Sequence, residues 1–300
     1  DPLSPRSFVI HRQDSAIPQN VKVDRMLTVG EGSAVSIIIP TADGAREGYL
    51  PSLLRQLREQ DLPNFEVLVV EGDNRQGRAI NTAVDMAKGD ILVTMDDDTR
   101  LSDPTTLSRL VEAIQSSPTI GMAGGSNQAP PDASGLVRKV MTQLPRRSSP
   151  PVDEITDSDM AEHPLLAMRK DAFIKVGGEN ELIPRGLDPY LREKFRQAGY
   201  RVVVAPKVVY HHMPPSKLMP LLKQFYRNGA QSRYCSKIYP EWVYETQEAH
   251  AQGAVARPSL PRRVVRQLRQ MGEHLRRGHW VFVLCRLAYA AGWVKQSLKG

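Results

Sequence analysis

An apolar run that ends directly in three carboxylates constrains the fold of this chain more than any other feature. Residues 91–95 are Ile, Leu, Val, Thr and Met, and Asp96, Asp97 and Asp98 follow at once. Such a run is typical of a buried strand, and open α/β sheets bind ligands at the carboxyl ends of their strands. We therefore expect an acidic site at a sheet edge, although an isolated Asp triplet is more often an acidic turn or a helix N-cap.

The spacing within the triplet suits a divalent cation. Three adjacent anions repel one another, and a bound cation relieves that repulsion. In extended backbone, Asp96 and Asp98 project to the same side of the chain. The triplet thus predicts two carboxylates that hold a hard divalent ion against a diphosphate group.

Strand-like and helix-like segments alternate around this run. The predicted strands are residues 34–39, 65–70, 91–95, 120–124 and 201–205, and the predicted helices are residues 49–60, 78–88, 105–114, 171–176, 189–198 and 220–233. This alternation predicts an α/β fold with a parallel sheet and right-handed crossovers. Residues 127–159 carry five prolines and interrupt the pattern. We predict a long loop there, which in a compact domain is usually functional or mobile.

The basic charge of the chain is concentrated near its C-terminus. Residues 253–300 carry ten Lys or Arg against one Glu, which leaves the remainder with a formal charge of −2 out of a total of +7. Such a segment predicts contact with an anionic lipid surface, nucleic acid or a partner. Because the rest of the chain is slightly acidic and lacks a nucleic-acid-binding motif, we expect no nucleic-acid partner.

Cysteine content and hydropathy indicate a compartment. Two cysteines make no disulfide framework, so a reducing environment is expected. The first residues have no signal-peptide core, and no apolar stretch is long enough to span a bilayer. We expect a cytoplasmic protein that lies peripherally at the inner face of the cell membrane through its basic C-terminal segment. The alternative is a helical pair that packs on the rest of the chain.

Short motifs in a fixed order resemble the inverting glycosyltransferases of family 2, which have the GT-A fold. They lie at residues 35–41, 66–72, 77–81, 87–90, 95–99, 169–171, 176–178, 187–191 and 198–202. Each motif alone is weak, but their shared order and spacing are specific over roughly two-thirds of the chain. The resemblance implies a Rossmann-like, mostly parallel sheet flanked by helices, with a helical basic C-terminal extension.

The resemblance also implies a division of the chain. The catalytic domain covers residues 34–235, and a basic helical extension follows at 236–300. Residues 1–33 are polar and irregular, and we expect them to form an N-terminal arm over the surface. Within the catalytic domain, residues 34–126 are the nucleotide-sugar half and residues 160–235 the acceptor half.

The activity implied is transfer of a sugar from a nucleoside diphosphate donor to an acceptor hydroxyl with inversion, in cell-surface polysaccharide or glycolipid synthesis. The expected partners are a UDP- or dTDP-sugar and a glycan or lipid-linked glycan, and the expected cofactor is Mn²⁺ or Mg²⁺. Two alternatives stay open: a non-catalytic sugar-nucleotide or glycan-binding module of the same fold, and a retaining transferase.

Site residues follow from the motif positions. Asp98 and Asp96 are the expected metal ligands, and His211 is expected to complete the metal site. The residues expected at the nucleotide are Pro40, Thr41, Glu71, Arg78, Asp96 and Asp97. For Arg78 the alternative is a solvated cation at a helix start, and for His211 and His212 it is a pair of ordinary surface histidines.

Asp188 occupies the position of the family's catalytic base, which removes the proton from the acceptor hydroxyl. The family has a Glu directly before this Asp, whereas this chain has Leu187. The departure leaves open which group supplies the support that the Glu usually gives. As an alternative, Asp188 only caps a helix that opens at Pro189.

Overall fold

The computed structural model describes residues 16–42, 44, 48–184, 186–238 and 260–299. The chain forms two compact units. Unit 1 comprises Asp1–Gln128 and Ser149–His212, and unit 2 comprises Ala129–Ser148 and Met213–Gly300. Residues 1–15 of the predicted arm and residues 239–259 of the predicted extension lie outside the described residues.

Unit 1 contains a nine-stranded sheet. Its strands are β1 (Lys22–Val29), β2 (Val35–Thr41), β3 (Phe65–Glu71), β4 (Ile91–Thr94), β5 (Thr99–Leu101), β6 (Ile120–Asn127), β7 (Thr156–Asp157), β8 (Leu166–Arg169) and β9 (Arg201–His212). The order across the sheet is β1-β3-β2-β4-β8-β6-β9-β5, and β7 pairs with β9. The predicted α/β class and the predicted strands are confirmed.

The sheet is mixed, and the expectation of a mostly parallel sheet is corrected. Strand β2 runs parallel to β3 and β4, and β6 runs parallel to β9. Strand β8 runs antiparallel between β4 and β6. The sequence pattern does not show this reversal, because buried strands of either direction read as the same short apolar run.

Helices flank the sheet in unit 1 and make up unit 2. Those of unit 1 are α1 (Tyr49–Arg58), α2 (Gln76–Met86), α3 (Thr106–Gln115), α5 (Lys170–Val176) and α6 (Leu187–Gln197), and those of unit 2 are α4 (Gly135–Gln143), α7 (Leu218–Ile238), α8 (Leu260–Arg276) and α9 (Trp280–Leu298). The helix α4 corrects the prediction of an unbroken loop over residues 127–159. Its nine residues have apolar positions at helical spacing, but the segment is short and lies between prolines, which are typical of loops.

The core of unit 1 has two layers, one on each face of the sheet. Ile37 and Ile39 of β2 belong to one layer, and Ile38 between them belongs to the other. All three are fully buried, because successive side chains of a strand point to opposite faces. Each such side chain stabilises the fold by about 1.5–3 kcal/mol through burial. This rigid centre fixes the carboxyl ends of β2, β3 and β4.

Residues 22–29 correct the prediction of an irregular arm. They form β1, which pairs antiparallel with β3 at the edge of the sheet. Most of its side chains are exposed or only partly buried. An edge strand with polar residues on its open face lacks clear apolar alternation, so it reads like a surface loop.

Unit 2 is a helical assembly with its own small core. The core contains Val140, Leu144, Leu221, Val281, Phe282 and Cys285. Helices α7 and α9 cross closely, since a Cβ added to Gly229 would overlap the carbonyl of Tyr289. The helical nature of the C-terminal region is confirmed, and among the described residues no helix is long and apolar enough to cross a membrane.

Candidate active site

Three parallel strands end at one edge of the sheet, and the predicted nucleotide-side residues lie there. Thr41 closes β2 and is paired in register with Glu71, which closes β3. The Thr41 hydroxyl donates a hydrogen bond of 2.7 Å to Oδ2 of Asp97, which follows β4. Pro40 precedes Thr41 in the same strand. The structure therefore brings Pro40, Thr41, Glu71 and Asp97 to one edge, as the motif order predicts.

The acidic triplet is a turn and not an extended strand end. The backbone N–H of Thr99 donates to the carbonyl of Asp96 at 3.0 Å. Asp97 points toward Thr41, whereas Asp96 and Asp98 both approach His212. The expected convergence of Asp96 and Asp98 is thus observed, but a tight turn produces it rather than the alternation of an extended backbone.

Asp96, Asp98 and His212 form what we call the carboxylate–histidine cluster. His212 Nε2 lies 3.2 Å from Asp98 Oδ1 and 3.4 Å from Asp96 Oδ2. One ligand atom from each residue lies within 4.8 Å of the others. Two carboxylates and one imidazole are ligands that suit Mn²⁺, and these separations place the three atoms around a space of the size of one ion. The donor set and its spacing fit a divalent cation.

His212, and not His211, is the histidine at this cluster, which corrects the predicted metal ligand. Thr99 pairs with His212 across the β5–β9 ladder. His211 is buried, and its Nδ1 lies 2.8 Å from the carbonyl oxygen of Gln128. Adjacent residues of a strand face opposite sides, so only one of the two histidines can reach the turn.

Electrostatics at the cluster favour a partner for the carboxylates. Burial raises the pKa of Asp96 to about 6; the positive charge of His212 opposes this rise, and the charges of Asp98 and Asp188 add to it. The Gln76 side chain at the start of α2 donates to Asp96 Oδ1 at 2.7 Å. Because the charge of Asp188 contributes to the raised pKa of Asp96, the two carboxylates lie close enough to interact electrostatically.

Arg78 is buried, so its alternative as a solvated cation is wrong. Its Nε and Nη2 donate to the two carboxylate oxygens of Asp73 at 2.7 and 2.8 Å, and its Nη1 donates to the carbonyl of Ala16. The Asp73 hydrogen bonds raise the pKa of Arg78 further, against the effect of burial. These contacts hold the loop between β3 and α2 in shape. The predicted contact of Arg78 with base or diphosphate stays a prediction.

Asp188 lies in the first turn of α6 and does not cap it. The N-cap is Gly186, which has φ 85° and makes no side-chain capping hydrogen bond. Asp188 Oδ1 instead accepts a hydrogen bond of 2.7 Å from the backbone N–H of His163. Burial raises the pKa of Asp188, but the charges of His163 and Arg192 and this hydrogen bond outweigh burial and lower it. Asp188 is therefore an ionised carboxylate at neutral pH.

Next to Asp188 lies a buried pair of His163 and Glu179. His163 Nε2 is 2.8 Å from Glu179 Oε1 and 3.9 Å from Asp188 Oδ1, and its Nδ1 is 2.9 Å from Thr94 Oγ1. Burial lowers the pKa of His163, but the charges of Glu179 and Asp188 outweigh it and raise the pKa to about 9. His163 is thus a buried imidazolium at neutral pH.

Several residues of the site were not predicted from the sequence. They are Asp73, Gln76, Thr94, His163, Glu179 and His212. Glu179 follows the Gly177-Gly178 motif directly and was within reach of the resemblance. His163 carried no signal, because it lies in an irregular stretch with no periodic neighbours.

The comparisons with known proteins agree with this fold. Residues 71–177 match the model of glycosyl transferase family 2. A curated relative, an uncharacterized glycosyltransferase of Haemophilus influenzae, is 25% identical over 185 residues, which cover 52% of this chain and 59% of the relative. The chain therefore spans only 59% of the length of that relative.

One similar solved structure is the mannosyltransferase PcManGT from Pyrobaculum calidifontis in complex with GDP-Man and Mn²⁺. It is 17% identical to this chain with a TM-score of 0.59, and the match covers 98% of this chain and 95% of that chain. TarS of S. aureus with UDP-GlcNAc is 14% identical with 66% coverage of each chain, and its TM-score of 0.45 does not establish a shared fold. The resemblance drawn from the motifs is confirmed: residues 71–177 match the glycosyl transferase family 2 model, and the chain has the GT-A fold.

Proposed function

We propose that this protein is a metal-dependent glycosyltransferase that moves a sugar from a nucleoside diphosphate donor to an acceptor hydroxyl with inversion. One observation carries the proposal. The carboxylate–histidine cluster, whose spacing suits a cation, and Asp188, an ionised carboxylate, lie within electrostatic reach of each other in unit 1. Such a transfer needs both a stabilised diphosphate and a base.

The donor side of the proposed site is the edge formed by β2, β3 and the acidic turn. Asp96, Asp98 and His212 would hold Mn²⁺ or Mg²⁺, which when bound supplies a Lewis acid to the departing diphosphate. Glu71 and Thr41, paired in register, offer acceptor oxygens that suit the ring N–H of uracil or thymine. We therefore favour a UDP- or dTDP-sugar as the donor.

The acceptor side centres on Asp188. In the proposed reaction the acceptor hydroxyl oxygen forms a bond to the anomeric carbon while the bond from that carbon to the diphosphate oxygen breaks. Asp188 takes the hydroxyl proton, and the nucleoside diphosphate leaves with the bonding electrons. Because attack comes from the side opposite the leaving group, the anomeric configuration inverts.

A nucleotide panel tests this proposal. We expect one of UDP, dTDP, GDP and CDP to raise the melting temperature in a Mn²⁺-dependent way, because a ligand that binds the native state stabilises it. Incubation of the matching nucleotide sugar with simple glycosides should then release nucleoside diphosphate, and NMR of the product should show the inverted anomer. A retained anomer would contradict inversion, and binding without release would favour the non-catalytic module.

We further propose that the acceptor is a glycan or lipid-linked glycan reached at an anionic membrane surface, with the protein at the cytoplasmic face. Helix α8 supports this. Val264, Val265, Leu268 and Leu275 are 49–65% exposed, and the helix also carries Arg262, Arg266, Arg269 and Arg276. Apolar and basic residues on one helix suit binding in the interface of an anionic bilayer.

Liposome sedimentation tests the membrane proposal. The variant Leu268→Glu should bind vesicles of anionic lipid less than the wild type, while Val294→Glu, which alters an exposed apolar residue of α9, should bind as the wild type does. Equal binding of all three proteins, or binding that does not depend on anionic lipid, would contradict the proposal.

A further inference from the structure

We propose that His163, held by Glu179, is a positioning residue that aims Asp188 at the acceptor hydroxyl and keeps it ionised. This inference rests on the proposed function, because it concerns the same transfer reaction. In the family a Glu directly before the catalytic Asp usually supports it, and this chain has Leu187 at that position. The inference assigns this support to another residue. Glu179, eight residues earlier in the chain, takes that part through His163.

His163 holds one carboxylate oxygen of Asp188. Its Oδ1 accepts from the backbone N–H of His163 at 2.7 Å and lies 3.9 Å from Nε2 of the same residue. The Asp188 side chain is 29% exposed, whereas that of His163 is 2% exposed. Oδ1 is therefore anchored to the protein interior, while the partly exposed Asp188 side chain stays within reach of a substrate.

Both ring nitrogens of His163 are engaged by the protein. Nε2 lies 2.8 Å from Glu179 Oε1, and Nδ1 lies 2.9 Å from Thr94 Oγ1. The Thr94 hydroxyl also lies 3.3 Å from the His163 carbonyl, to which it donates. Its oxygen can then accept from Nδ1–H, so both nitrogens carry protons. This arrangement is that of a fixed imidazolium and not of a free acid or base.

Glu179 needs this imidazolium. Its side chain is fully buried, and its Oε1 lies 2.8 Å from His163 Nε2. Burial of an uncompensated carboxylate is costly, and few buried polar groups in native proteins lack hydrogen-bond partners. His163 supplies that compensation, and the same residue contacts Asp188 through its backbone N–H and its ring.

The backbone before Glu179 is built to bring it there. Gly178 has φ 72°, and a Cβ at this position would lie 2.5 Å from Asn81 Oδ1. Asn81 of α2 in turn accepts from the Glu179 N–H and donates to its carbonyl. Leu187 and Glu179 both border Gly77. Leu187 is therefore packed in the interior, so it cannot contact an acceptor.

Charge around the pair supports this role. Titratable or charged groups that influence His163, Asp188 or their surroundings are Glu179, Asp188, Asp96, Arg192, Glu162 and Tyr210. Three carboxylates act on His163 and keep its pKa well above the ordinary value. In return the imidazolium helps to keep the pKa of Asp188 low. The pair therefore holds the base in its ionised form at neutral pH.

Kinetics of two variants and one matched control test the positioning role. His163→Gln and Glu179→Gln should lower kcat by about 10–100-fold, the range for groups that orient a functional residue, and leave the donor KM within about threefold. The acidic limb of the pH profile should move to higher pH. Glu66→Gln is the matched control, because Glu66 is fully buried too but lies near the start of β3, at the opposite end of the sheet from the site. Equal kcat in all three variants, or an unmoved acidic limb, would overturn the proposal.

NMR of the His163 ring separates failure of this inference from failure of the proposed function. With the signal assigned by its loss in His163→Gln, both ring N–H protons should be visible near pH 7.5. In Asp188→Asn the pKa of His163 should fall. A ring that titrates near 6.5 and ignores Asp188→Asn would overturn the pairing regardless of activity. If the coupling is present but the wild type transfers no sugar, the proposed function fails and the geometry of the pair stands.

Discussion

Two clusters in unit 1 each place an imidazole between two carboxylates, and they differ mainly in exposure. His212 lies between Asp96 and Asp98 with its side chain 24% exposed, whereas His163 lies between Glu179 and Asp188 with its side chain 2% exposed. In the first cluster one ligand atom of each residue lies within 4.8 Å of the other two. In the second, both ring nitrogens are engaged by protein groups.

This difference shows how burial divides the work of one kind of side chain. Where carboxylates and imidazole converge near solvent, a cation can bind and relieve the repulsion. Where the imidazole is enclosed, the histidine itself becomes the cation, and the fully buried Glu179 lies beside it. Strand β4 links the two clusters, because Thr94 at its end contacts His163 and Asp96 follows two residues later.

The largest expected effect comes from the base. Asp188→Asn should reduce transfer by about 10²–10⁴-fold, the usual contribution of general base catalysis, because the amide cannot accept the hydroxyl proton. Mn²⁺-dependent nucleotide binding, measured by calorimetry, should stay within about threefold of the wild type. Loss of both transfer and nucleotide binding would indicate that Asp188 is structural.

The adjacent histidines of β9 give the next contrast. His212→Gln should weaken Mn²⁺-dependent nucleotide binding by up to about 100-fold, since loss of a group at a metal site has effects of this size. His211→Gln removes a ring that contacts the Gln128 carbonyl and should alter binding little. The reverse order of effects in calorimetry would restore His211 as the ligand.

A smaller effect is expected on stability. The pKa of His163 is raised from 6.5 to about 9 in the fold, so protonated His163 stabilises the native state fully below pH 6.5. That contribution, on the order of 3 kcal/mol, should be lost as the pH rises through about 9. The free energy of unfolding, measured in urea, should therefore fall more between pH 6.5 and 9 for the wild type than for His163→Gln. Parallel curves for both proteins would contradict the buried imidazolium.

The smallest effect is expected at an exposed ion pair. Arg201 and Asp157 pair at 2.8 Å with both side chains more than 40% exposed. Arg201→Gln should change the free energy of unfolding by at most about 1 kcal/mol and leave transfer unchanged. A loss of transfer as large as that expected from Glu179→Gln would show that burial is not what distinguishes the two kinds of pair.

The sequence predicted the parts of the site that follow from strand ends. Asp96, Asp98, Thr41 and Glu71 each come directly after or at the end of an apolar run, and the carboxyl ends of neighbouring parallel strands meet at one edge. The start of α6 and its Asp188 were predicted in the same way from the motif. Local pattern and fold class were enough to bring these residues together.

Register and long-range contacts were beyond the sequence. The choice between His211 and His212 depends on the register of β9, which shifts between its pairs with Gly124 and Ser126 and has Lys207 at φ 56°. Beyond such an irregularity, the simple alternation of side chains between the two faces of the sheet no longer predicts which face a residue is on. The His163–Glu179 pair joins an irregular stretch to a glycine turn, and no periodicity marks either residue.

Pulsed EPR of bound Mn²⁺ tests the central claim most directly. With saturating nucleoside diphosphate, the Mn²⁺ signal of the wild type should show nitrogen coupling from a directly bound imidazole. We predict that His212→Gln abolishes this coupling and that His211→Gln preserves it. Absence of nitrogen coupling in the wild type, or its loss only in His211→Gln, would contradict a metal site formed by Asp96, Asp98 and His212.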